Sequence, residues 1–185
     1  MQVARTSWGI PTVGLFLAIV STATAKYSGG TGEPNDPYQI ATAADLIALG
    51  ETPGDYANCF ILTADIDLDP NLPGRKVFDK AVIAPDTDPN DWNTDFQGSP
   101  FTGVFDGNDH MISHLWITGE HYLGLFGYLS NGGEVGNLGV VDVNIIGGND
   151  VGGLVGFSSG TVTYRCSTGT VSGQYGVGGL VGYNN

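Results

Sequence analysis

Positive charge is scarce in this chain. Lysine and arginine number 6 in 185 residues against 19 aspartate and glutamate, a formal net charge of −13 and a pI near 4.1. That balance excludes an electrostatic binder of duplex DNA or RNA, which needs clustered cations to neutralise phosphates, and it argues against docking on anionic lipid. Cysteine is scarce too: two residues, Cys59 and Cys166, cannot make a disulfide scaffold. In an oxidising compartment the two could pair, but two separately buried thiols is the simpler reading. No apolar run reaches the roughly 20 residues of a bilayer span. A Gly-X-Y period is missing, which excludes collagen, and 41% hydrophobic residues is too many for a disordered chain.

What the chain has in excess is glycine, 30 of 185 residues, more than twice the usual share of about 7%. Its distribution is uneven: 22 of the 30 lie in residues 98–185, whereas the prolines and the acidic residues concentrate in 26–97. Residues 1–25 read as a secretory signal, with Arg5 in the leading region, a mostly apolar Ile10 to Val20, and Ala23-Thr24-Ala25 as the cleavage site before Lys26. An uncleaved N-terminal anchor is the alternative. After removal, nothing remains to insert in a membrane. The expected organisation is a signal peptide (1–25), an N-terminal cap with an acidic loop (26–97), and glycine-rich rungs (98–185).

Within 26–97, a short helix is predicted over Ala43 to Leu49, with Thr42 as N-cap, Asp45 at the capping-box position and Gly50 as terminator. Phe60 to Leu68 alternates, placing Ile66 and Leu68 on one face and Asp65, Asp67 and Asp69 on the other, as in a strand. Asp69 to Gly98 shows no period and reads as a long irregular insertion.

The glycine-rich part repeats. Apolar pairs flanked by glycine begin at Val104, Leu125, Leu154 and Val181's neighbour Leu180, at spacings of 21, 29 and 26. The repeat residues are Gly124, Leu125 and Gly127, then Gly152, Gly153, Leu154 and Gly156, then Gly178, Gly179, Leu180 and Gly182. Second motifs fall between them, at Ile112, Leu115 and Ile117 and at Val135, Leu138 and Val140. Units of 20–30 residues mean stacked repeats. Short β-branched runs punctuated by glycine make each unit two or three short strands with tight corners. Three rungs are expected, at 101–121, 122–149 and 150–176, with a fourth begun at Val177. Nothing in the sequence caps the last one, so the chain is expected to be the N-terminal portion of a longer array.

The segments Val151-Gly-Gly-Leu-Val-Gly156-Phe157 and Val177-Gly-Gly-Leu-Val-Gly182-Tyr183-Asn184 resemble the GLUG motif of bacterial secreted and surface β-solenoid proteins, among them adhesin-like proteins and non-catalytic parts of some immunoglobulin-A-cleaving peptidases. Phe101-Thr-Gly-Val-Phe-Asp106-Gly107-Asn108 with His110 to Leu115, and Asp36 to Ile40 with Ala44-Asp45-Leu46, resemble the opening of the same proteins. The resemblance spans roughly 33–185. It implies an all-β, right-handed parallel β-helix or β-solenoid with a small α+β N-terminal cap, and a secreted or cell-surface role. One departure stands out: Arg165 falls where an inward apolar residue belongs, so either the register slips there or that rung is imperfect. The resemblance brings no catalytic residues.

No catalytic constellation is visible. His110-Met-Ile-Ser-His114 has the histidine spacing of a zinc-peptidase helix but lacks the glutamate, and on a strand the two rings stand about 13 Å apart. They read as surface histidines. Asp65, Asp67 and Asp69 fail as an EF-hand, because loop positions 6 and 12 would be Pro70 and Lys76. Asp86, Asp88, Asp91 and Asp95 are the weak calcium candidates, with a hydrated acidic loop as the plainer reading. Asp106, Asp109 and Glu120 are the carboxylates available for glycoside hydrolysis, and Asp106 is explained by turn formation alone. Among the aromatic residues, Trp92 and Trp116 are the candidate ligand contacts; Tyr122, Phe157, Tyr164 and Tyr175 are further sugar-stacking candidates. The expected function is an interaction module for an extracellular polymer, glycan or surface protein. A carbohydrate-active enzyme, an accessory region of a secreted peptidase, and a plain spacer stalk are the alternatives.

Overall fold

The computed structural model describes residues 26–88 and 95–185. The predicted signal peptide, Asp91, Trp92 and the side chains of Tyr164 and Arg165 lie outside the described residues.

The described residues are mostly strand, with one short α-helix and a single 3-10 turn at Pro53–Asp55, and the pairing between named strands is parallel throughout. Strand β1 (Tyr38–Ile40) leads into helix α1 (Ala43–Gly50). Thr42 and Asp45 close the capping box in both directions. Ala43, Leu46 and Leu49 are buried, and Ile47 is half-buried. Gly50 does not end the helix through a left-handed turn. It is the last helical residue, and it is glycine because its Cα lies against the carbonyl oxygen of Val82, where a side chain would collide.

Then come β2 (Cys59–Leu62) and β3 (Ile66–Asp67), with Ile66 and Leu68 buried and Asp65 and Asp67 exposed as the alternation requires. β4 (Val104–Asp106), β5 (Met111–Ser113), β6 (Trp116–Thr118), β7 (His121–Leu123) and β8 (Phe126–Leu129) make one pass of the chain. β9 (Glu134–Ile146), β10 (Asn149–Gly152) and β11 (Val155–Ser158) make the next; β12 (Thr161–Ser172), β13 (Tyr175–Gly178) and β14 (Val181–Asn184) the last. Three sheets result. The largest runs β1-β2-β4-β9-β12, with β3, β5 and β6 also joined through β9; the others are β7-β10-β13 and β8-β11-β14.

Apolar columns run through the stack. Phe60, Phe105, Val135 and Val162 pair in register, as do Ile117, Ile145 and Val171, and Phe126, Val155 and Val181. Burying each column removes apolar surface from water at about 25 cal/mol per Å². A single pass exposes its inward face, so stacking is what makes the core.

Two expectations about the repeat are corrected. Val104 and Leu125 are not equivalent: Val104 pairs with Glu134, while the Leu125 corner stacks on Leu154 through Phe126 and Val155. The spacing of 21 measured two different corners of one pass. The true period is read from pairs such as His121 with Asn149 and Val155 with Val181. The irregular stretch after Asp69 is also part of the stack. Phe78 bridges Ile117 and Ile83 bridges Phe126, both in parallel, and Phe78, Ala81, Val82, Ile83 and Ala84 are buried. It follows no strand period because its contacts with the next pass are single bridges separated by turns. The shift in composition at residue 98 is therefore not a break in the sheet, since β2 pairs directly with β4.

The β9–β12 ladder slips between Val162 and Tyr164, between Tyr164 and Cys166, and between Ser167 and Gly169. This is where Arg165 had broken the pattern. Cys59 and Cys166 are both free and half-buried rather than fully buried. They sit on strands β2 and β12, three strand spacings apart through β4 and β9, or about 14 Å. That is well beyond disulfide reach.

Candidate functional site

The outer faces of the passes carry the polar chemistry. On β6, Ile117 is fully buried, so its neighbours Trp116 and Thr118 must point outward. The strand is held from below by Phe78, whose N–H donates to the Trp116 carbonyl at 2.9 Å and whose carbonyl accepts from the Thr118 N–H at 2.9 Å. Above it, Trp116 pairs with Asn144 and Thr118 with Ile146; one pass further, Thr170 pairs with Asn144 and Ser172 with Ile146. The result is an open flank on which an indole, 38% exposed, stands in one column with an amide and a hydroxyl. These groups are uncharged. They offer an apolar ring and hydrogen bonds, the pairing a saccharide can use.

A second constellation joins two motifs that the sequence kept apart. His110 Nδ1 lies 3.0 Å from Asp65 Oδ1, and His114 Nδ1 lies 2.8 Å from Asp67 Oδ1. His114 Nε2 reaches within 4.0 Å of Asp142. The two histidines therefore serve different carboxylates, and His114 ties together three successive passes. The Asp67 hydrogen bond, with the further charges of Asp142 and Asp69, raises the His114 pKa above its ordinary value. Hydrogen bonds from the backbone N–H groups of Met111 and Asp69, then from the histidines, hold Asp65 and Asp67 below the usual carboxylate range. Asp142 escaped notice in the sequence because it belongs to an alternating strand with no motif around it.

The acidic loop is not uniformly hydrated. Asp86 is buried at 3% exposure, and its carboxylate accepts from the N–H groups of Asp88 and Gln97. Asp88 and Asp95 are exposed. Asp86 and Asp95 act on Tyr122 together with Asp150, whose own pKa burial raises. Burial first, and then these charges, push the Tyr122 phenol up to about 12. Among the described residues, no group of three or more His, Cys, Asp or Glu side chains is arranged to hold a metal ion.

Asp106 accepts from the Asn108 N–H at 2.9 Å and from the Asn137 side-chain amide at 3.0 Å. It closes its own turn and fastens it to the next pass. Of the remaining aromatic candidates, Tyr122 is buried and Tyr175 is 73% exposed. Phe157 belongs to a ladder of rings with Tyr128 and Tyr183, at centroid distances of 4.9 and 5.1 Å. Phe157 and Tyr183 are stacked nearly flat, so they take up each other's faces.

No family model matches the chain. It is 38% identical over 165 residues to halomucin of Haloquadratum walsbyi, covering 86% of this chain and 2% of that protein. It is 30% identical over 131 residues to a protein of Evansella cellulosilytica named as a Gly-rich membrane protein, covering 67% of this chain and 13% of that one. The chain thus spans a small fraction of the relatives it matches. A crystal structure described as an immunoglobulin A1 protease from Bacteroides ovatus aligns with a TM-score of 0.38 and 16% identity, over 86% of this chain and 65% of that one. No helix among the described residues is long and apolar enough to cross a membrane.

Proposed function

We propose that this chain is a GLUG-type β-solenoid module of an exported, cell-surface protein, and that its β6 flank binds extracellular polysaccharide. The surface location is supported by the names of the two relatives and by the export-type pattern of residues 1–25. The observation that carries the binding reading is the Trp116, Asn144 and Thr170 column on an open face. An uncharged column suits a polymer whose rings lie along it, and many weak contacts in a row raise avidity.

The test is affinity electrophoresis of the chain through gels containing neutral polysaccharides, with polymer length followed in parallel. The reading expects retardation, unchanged polymer length, and a roughly tenfold loss of affinity in Trp116→Ala, equivalent to about 1.4 kcal/mol. Shortened polymer would mean an enzyme. No retardation in any gel would leave the spacer reading.

A further inference from the structure

The 3-10 turn at Pro53–Asp55 and the two arms of the acidic loop enclose a cleft of about 520 Å³. Pro53, Pro85 and Phe96 give it ring faces, and Thr87, Gln97 and Ser99 give it polar groups. One wall is pinned by a buried carboxylate: Asp86, 3% exposed, accepts the Gln97 N–H at 3.1 Å. The Thr87 N–H and hydroxyl both donate to the Gln97 carbonyl, which closes the neck of the loop. Gly98 lets the arms meet, because a methyl group there would lie 2.4 Å from the Pro85 carbonyl oxygen and 2.7 Å from the Phe96 ring. Phe96 itself is held edge-on against Tyr122 and Tyr128, at centroid distances of 5.3 and 4.9 Å. The opposite wall is fixed as well. Tyr56 is buried, its hydroxyl donates to the Gly50 carbonyl at 2.7 Å, and its carbonyl accepts from the Thr102 and Gly103 N–H groups. The cleft is therefore preformed, and it shares no residue with the β6 flank.

Its lining is uncharged. In a chain of net charge −13, no Asp, Glu, Lys or Arg among the described residues lines this cleft. A neighbouring cleft of about 360 Å³ is lined by Glu51, Lys76, Asp79 and Lys80. Asp88 and Asp95 are exposed on the loop that forms the uncharged cleft, so an anion meets repulsion on approach, whereas a cation finds no carboxylate inside. What the lining suits is a neutral ligand with flat apolar faces and hydroxyl groups. The volume lies within the range of about 300–1,000 Å³ usual for small-ligand sites. A polyproline segment would need a groove lined with several aromatic rings. Here Phe96 is joined only by Tyr56, whose hydroxyl is already engaged by Gly50.

We infer that this cleft is a binding site for an uncharged saccharide unit, separate from the β6 flank and not dependent on what that flank binds. The sugar's C–H faces lie against Phe96, Pro53 and Pro85. Its hydroxyls meet groups of defined polarity. The Thr87 hydroxyl has its proton committed to the Gln97 carbonyl, so it accepts; the exposed Ser99 hydroxyl both donates and accepts. Because Asp86 and Gly98 already hold the walls together, little ordering is left for the ligand to drive.

Proton–nitrogen NMR of the full chain tests this, titrated with glucose, mannose, N-acetylglucosamine and cellobiose, and in parallel with glucuronate and a polyproline peptide. The inference expects saturable shifts at the Thr87, Gly98 and Ser99 amides with at least one of the neutral sugars, and the same shifts in Trp116→Ala. Phe96→Ala, which removes a ring face, and Ser99→Leu, which fills the cleft from an exposed position, should each bind about tenfold more weakly. Circular dichroism checks that both variants keep their strands. No saturable shift at these amides at the highest soluble sugar concentration overturns the inference, as do shifts confined to β6. Tighter binding of glucuronate or of the polyproline peptide overturns it too, and so does Ser99→Leu folding and binding sugar like the parent.

Discussion

Gly153 and Gly179 occupy the same place in successive passes, since Gly152 pairs with Gly178. They differ in what lies above them. A methyl group on Gly153 would fall closer to the Gly179 carbonyl oxygen than the 3.0 Å that real Cβ atoms keep, and close to the Ser167 hydroxyl, which donates to that same carbonyl at 2.8 Å. The obstacle is backbone, so relief requires the last pass to lift. Gly153→Ala should therefore cost about 2–3 kcal/mol, the upper part of the overpacking range. At this chain length that is a fall of roughly 4–12 °C in midpoint temperature. Gly179→Ala meets nothing and has no left-handed backbone to strain. It should leave stability unchanged or raise it by about 0.4–1 kcal/mol, because alanine narrows the unfolded ensemble. Thermal unfolding in dilute solution, followed by circular dichroism, reads both. Equal destabilisation by the two substitutions would refute the claim that inter-pass contact, not the corner itself, demands glycine at this position.

Other outcomes follow from the outer-face polar contacts. His114→Gln should abolish a pH dependence of stability. The raised His114 pKa contributes fully below its unfolded value near 6.5 and is lost as pH rises through the higher folded value. The lowered Asp67 pKa contributes above about 3.8 and is lost on acidification. The contribution should peak between those limits. The groups are well exposed, so its size is about 0.2–1 kcal/mol and should shrink with salt. Urea titrations at pH 5 and pH 8 check it; a His114→Gln variant with the parent's pH profile would count against the clasp. Asp106→Ala should cost about 1 kcal/mol through loss of the Asn108 and Asn137 bonds, without altering any polymer-binding affinity, as denaturation and gel retardation together would report.

The sequence expressed its local instructions well. Thr42 and Asp45 act on each other three residues apart, and the alternation at Ile66 and Leu68 is a property of one strand. Glycine corners with β-branched runs identified an all-β chain of stacked units for the same reason. Each of these signals is complete within a few residues. The pairing of Asp65 with His110, the burial of Asp86 and the equivalence of Val104 with Glu134 are of another kind. They depend on which pass lies on which, and the irregular segment between Asp69 and Gly98 stood between the strand readings without a period to count. Composition and local period were enough to determine the kind of structure this chain builds. Only the tertiary stack decided which residues face one another across it, because register between passes is set by the summed fit of whole columns and not by any motif within one pass.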